Sequence, residues 1–119
     1  MKMTSEYYSA MKRALAWVYR NDGIDLCELS GGWRDDRKLK FGVNWSAQGT
    51  KPASDARDYA RALNHAADIC DRLNELELII DYNAELTMGN DERKELIMKL
   101  IDAFEGGYFV STVRTELCE

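Results

Sequence analysis

Two apolar periods share this chain, one of three to four residues and one of two, and their succession predicts the elements. Thr4 or Ser5 can cap a first helix, with Glu6 in its positive first turn. Its apolar stripe is Tyr7/Tyr8, Met11, Ala14/Leu15 and Val18, and Asn21-Asp22-Gly23 stops it near residue 20. The short run Ile24–Leu29 permits a strand, and Ser30-Gly31-Gly32 breaks it. Leu39, Phe41, Val43 and Trp45 then alternate with Lys38, Lys40, Gly42 and Asn44. Period two places the four apolar side chains on one face. The two runs, joined by a charged loop of about nine residues, read as a hairpin.

After the loop Gln48–Pro52, Ser54 can cap a second helix, with Asp55 and Asp58 in its first turn. Ala56, Tyr59/Ala60, Leu63, Ala66/Ala67, Cys70 and Leu73 sustain the helical period. Leu76, Leu78, Ile80 and Tyr82 alternate, yet no Gly or Pro separates them from the helix, and this favours its continuation. Asn90 can cap a third helix with the stripe Leu96, Ile97, Leu100, Ile101 and Phe104, stopped by Gly106-Gly107. Tyr108–Leu117, β-branched and aromatic, reads as a last strand. The expected architecture is α+β, in the order α-β-β-α-α-β. A small antiparallel sheet, hairpin plus C-terminal strand, is covered on one face by about three helices. Leu39, Phe41, Val43 and Trp45 should then pack against Leu63, Leu96, Leu100 and Phe104.

Length adds that the 119 residues form a single domain spanning 1–119, with 45% hydrophobic residues for a core. No run of 18 apolar residues could cross a membrane as a helix. The N-terminus lacks an apolar signal region, and three cysteines, Cys27, Cys70 and Cys118, make no disulfide framework. Both point to a reduced, cytoplasmic setting.

Charge changes the picture more. The net charge of −5 divides into +3 over residues 1–53 and −8 over 54–119. Between Asn64 and Glu92 lie Asp68, Asp71, Glu75, Glu77, Asp81, Glu85, Asp91 and Glu92 against Arg72 alone. Such asymmetry marks either a solvated face or an interaction surface. On a helix Asp68, Asp71 and Glu75 form one exposed stripe. With Glu77, Asp81 and Glu85 they make the candidate partner-binding surface, one that suits a basic nucleic-acid-binding cleft. The alternative site is the basic and aromatic loop Trp33, Arg34, Arg37, Lys38 and Lys40, where phosphate contacts and stacking could hold a strand. The acidic pI near 4.9 argues against direct nucleic-acid binding. A homodimer is compatible with either surface.

Catalytic signals are absent. There is no GxGxxG, GxxxxGKS or HExxH pattern, and the sole histidine, His65, has no neighbouring ligand set. Asp35 and Asp36 sit between Arg34 and Arg37, an arrangement that keeps both ionised rather than splitting their pKa values for acid–base work. The expectation is a non-enzymatic protein with no cofactor and no metal.

The block Gly42–Thr50, followed by the Asp-, Arg- and Ala-rich segment Ser54–Asn74, resembles small proteins of phages and mobile elements. The whole chain is similar in style to anti-CRISPR proteins: short, acidic, free of enzyme motifs. The ending Val113–Leu117 resembles the C-termini of some Cas9 inhibitors. The resemblance implies an inhibitor of a bacterial CRISPR-Cas nuclease, acting in the bacterial host cell, with acidic mimicry of DNA as its mode. The alternative is an accessory phage or bacterial domain that self-associates or binds nucleic acid through the basic hairpin.

Overall fold

The computed structural model describes residues 2–16, 23–29, 38–46, 49–81 and 90–104. The elements run β1 (Lys2–Thr4), α1 (Ser5–Leu15), β2 (Ile24–Glu28), β3 (Phe41–Trp45), α2 (Ala53–Glu75), β4 (Ile79–Asp81) and α3 (Asn90–Ala103). This is a small α+β fold, with three helices among the described residues, as the periodicities predict.

Helix α1 starts where expected. Thr4 is extended (φ −74°, ψ 158°), and its Oγ1 accepts the Tyr7 N–H at 3.3 Å. Glu6 in the first turn and Lys12 and Arg13 in the last complement the helix dipole. Helix α2 departs from expectation. Its N-cap is Pro52, not Ser54, and no side chain caps it. Proline's fixed φ leads into the first turn and spares one of the N–H groups that would need a partner there.

The hairpin is antiparallel, pairing Ile24 with Trp45 through Glu28 with Phe41. The other pair is parallel and was not foreseen: β1 lies along β4, Lys2 beside Ile79 and Thr4 beside Asp81. A bridge between Lys38 and Ile79, and the Leu39 N–H donating to the Leu78 carbonyl at 2.7 Å, tie the two pairs together. The expectation that α2 continues through 76–82 is therefore corrected, since Ile79–Asp81 is a strand. The break is made by Glu77, whose φ of 51° is left-handed. That conformation ends a helix, and glycine usually supplies it. The strand expected over Tyr108–Leu117 lies outside the described residues.

One apolar cluster joins every element. Met3, Met11, Ile24, Phe41, Ile69, Leu73, Leu78, Ile80, Leu96, Leu100 and Phe104 are all fully buried in it. Each such large side chain contributes about 1.5–3 kcal/mol through burial. Leu39 and Phe41 face this core as expected, Val43 and Leu63 pack at its margin, and Leu96, Leu100 and Phe104 enter the same cluster from α3, which packs against α2. Trp45 is the exception. It stays 57% exposed at the last position of β3, although its cross-strand partner Ile24 is buried in the core.

The join between hairpin and helix is polar. The Leu29 N–H donates to the Lys40 carbonyl at 2.8 Å, so Phe41, one residue on, turns its own backbone groups away from β2. Asn74 of α2 meets both. Its Oδ1 accepts the Phe41 N–H at 2.8 Å, and its Nδ2 donates to the Phe41 carbonyl at 3.1 Å. The Cys70 thiol donates to the same carbonyl at 2.9 Å. A side-chain amide thus stands in for a neighbouring strand and fixes the C-terminal half of α2 against β3.

Candidate functional site: the acidic face of α2

Because Ala66, Ile69, Cys70 and Leu73 are held in the core, the helical period turns Asp68, Asp71 and Glu75 outward, and all three are exposed. Steps of three and four residues separate them by about 4.5 and 6 Å along the axis. That is the same scale as the charge spacing of a nucleic-acid strand, about 3.4 Å of axis per phosphate. Among the described residues none of the three makes an ion pair with a cation.

Their placement is locally unfavourable. Asp71 and Glu75 stand one turn apart with like charge, and both lie near the C-terminal, negative end of the helix dipole. Each effect costs a few tenths of a kcal/mol. In the last turn only Arg72 has the favourable sign, and it is half-buried, its Nε donating to the Ala103 carbonyl at 3.0 Å.

The other predicted acidic residues do not extend the stripe. Glu77 lies beyond the helix end and pairs with Lys38 at 2.8 Å. The hydrogen bond from Lys38, and then its charge, lower the Glu77 pKa below the usual carboxylate range. Asp81 belongs to strand β4, and Glu85 lies outside the described residues. Of the alternative basic site, Lys38 and Lys40 are exposed, while Trp33, Arg34 and Arg37 lie outside the described residues. The structure thus joins one member of each predicted surface, Lys38 and Glu77, in an exposed ion pair. No sequence spacing signals that contact across 39 residues.

The described thiols are not set up as nucleophiles. Burial, then the charge of Asp71, raises the Cys70 pKa; partial burial, then the charge of Asp25, raises that of Cys27. Both therefore stay protonated near neutral pH. Among the described residues, no group of three or more His, Cys, Asp and Glu side chains is arranged to hold a metal ion, and no helix is long and apolar enough to cross a membrane. Comparison with protein-family models, with curated proteins and with solved structures gives no match to this chain.

Proposed function

We propose that this is a non-enzymatic binding protein that sets the acidic face of α2 into a basic nucleic-acid-binding cleft, and that its target is a bacterial CRISPR-Cas nuclease, inhibited by DNA mimicry. One observation carries the reading. Asp68, Asp71 and Glu75 form an exposed stripe of strand-like charge spacing at the helix end where the fold itself gains nothing from them. A basic cleft would supply the compensation the chain lacks and would speed encounter by electrostatic steering.

The test is capture of Cas9 with its guide RNA by wild type and by the triple variant Asp68→Lys, Asp71→Lys and Glu75→Lys. The variant should keep the wild-type circular dichroism spectrum, since exposed charges contribute little to stability. It should lose binding, because like charges then face each other across the interface. Wild-type binding should fall with salt and compete with the nuclease's DNA. Equal inhibition by the folded variant, or no capture of the nuclease by wild type, rejects the proposal.

The exposed indole of Trp45 supports a second reading, base stacking on the hairpin by a single strand. A gel shift with DNA that Trp45→Ala removes would favour it over the cleft.

A further inference from the structure

Helix α2 carries two apolar seams; the fold buries one and takes only Leu63 of the other at the core margin. Tyr59, Ala62, Ala66, Ile69 and Leu73 face the core, buried or half-buried. Beside them run Ala53, Ala56, Ala60, Leu63 and Ala67, again at steps of three and four, the a and d spacing of a helix-pairing seam. The four alanines are exposed and Leu63 is half-buried. Small side chains let a second helix approach closely, so the seam has the shape of a helix-docking flank.

Charge says which helix fits. The positions bordering this seam are Arg57, Asn64 and Asp71, spaced by seven: positive, neutral, negative. The series is its own complement when reversed about Asn64. Among the described residues neither Arg57 nor Asp71 has an ion-pair partner, whereas the nearby Arg61 is taken by Asp58. A parallel copy would leave the two Arg57-to-Asp71 edges on opposite flanks of the seam and set the helix dipoles side by side in the unfavourable sense. An antiparallel copy sets Arg57 against Asp71 twice, about 10 Å to either side of the axis, and opposes the two helix dipoles favourably.

We infer that α2 is a self-association surface: two copies of this chain pair antiparallel along the alanine seam, about a two-fold axis at Asn64, with Arg57 of each against Asp71 of the other. The interface is isologous, as a two-fold requires. The strip is narrow, which places the dimer in the weak, transient class. The inference does not rest on the cleft reading, although Asp71 belongs to both surfaces, so the dimer covers part of the acidic stripe.

Sedimentation equilibrium of the protein alone tests it, with no nuclease present, so its failure is separate from failure of the cleft reading. Wild type should dimerise across the micromolar range. Ala60→Arg, a change at an exposed helical position, should keep the circular dichroism spectrum and weaken dimerisation by about tenfold or more. Arg57→Asp should weaken it, and Arg57→Asp with Asp71→Arg should restore it. In a background carrying Cys27→Ser and Cys118→Ser, Asn64→Cys should form a disulfide-linked dimer on mild oxidation, and Lys99→Cys on α3 should not. A monomer at all concentrations, a dimer indifferent to Ala60→Arg, failure of the charge swap to restore pairing, or equal cross-linking by the two cysteine variants overturns the inference.

Discussion

Replacing Asn74 by alanine should expose how much one amide contributes to this fold. The change removes the acceptor of the Phe41 N–H and one of two donors to its carbonyl. The carbonyl keeps the Cys70 thiol, but the N–H has no other partner among the described residues. An orphaned buried donor costs about 1–3 kcal/mol, and a lost ordinary hydrogen bond about 0.5–1.5 kcal/mol. Asn74 is only half-buried, so water can reach part of the site and the lower half of these ranges applies. The expected loss is about 2 kcal/mol, or a fall in Tm of about 8 °C for a chain of this size. Urea denaturation should show a lower midpoint with an unchanged slope. Asn74→Asp supplies the internal check. Its carboxylate accepts from the N–H but meets the Phe41 carbonyl without a proton to offer. Its pKa is then raised in the folded state, so its stability is fullest below the usual aspartate range and is lost as pH rises through the folded value. Relative to wild type, this variant should recover on acidification. A loss below about 0.5 kcal/mol for Asn74→Ala, or no recovery of Asn74→Asp, would refute the role assigned to the amide.

Two further outcomes follow from the packing. A Cβ on Gly42 would lie 2.6 Å from Leu29 Cδ2, yet Leu29 is 70% exposed and free to swing aside. Gly42→Ala should therefore stay within about 0.5 kcal/mol of wild type by urea denaturation, since alanine also relieves the entropic cost of a strand glycine. Cys70 titrates with the same sign, in the thiol range. Burial raises its pKa in the folded protein, so its contribution to stability is complete below the ordinary thiol range and is lost as pH rises through the folded value. Wild type should lose stability at alkaline pH, more than Cys70→Ala does, in melts followed by circular dichroism.

The helical stripes were legible because they are long. Met11, Ala14 and Leu15 in α1 and Ala66, Ile69, Cys70 and Leu73 in α2 repeat often enough for the period to stand out, and the outward placing of Asp68, Asp71 and Glu75 follows from it. Strand β1 offers only Lys2-Met3-Thr4, too short for any period. Strand β4 was hidden differently. Its alternation is present, but the residue that ends α2 is Glu77, not glycine or proline, so the chain turns where the sequence carries no punctuation. Trp45 keeps its place in the alternation, yet alternation assigns a face and not the extent of what covers it. The Lys38–Glu77 pair depends on the closing of β4 against the segment before β3, a fact of tertiary structure alone.

The parallel pairing of β1 with β4 bears on the order in which the molecule assembles. The hairpin joins residues 13 to 21 positions apart, whereas Lys2 meets Ile79 across 77. Closing the longer loop costs about 1.3 kcal/mol more in chain entropy, and that cost precedes any gain from the contacts it permits. Emerging from a ribosome, the chain therefore completes its hairpin and most of α2 while its first strand still has nothing to lie against. Met3 becomes core only once residues 79–81 are free to receive it, which makes the N-terminal strand the last piece of the described fold to be seated.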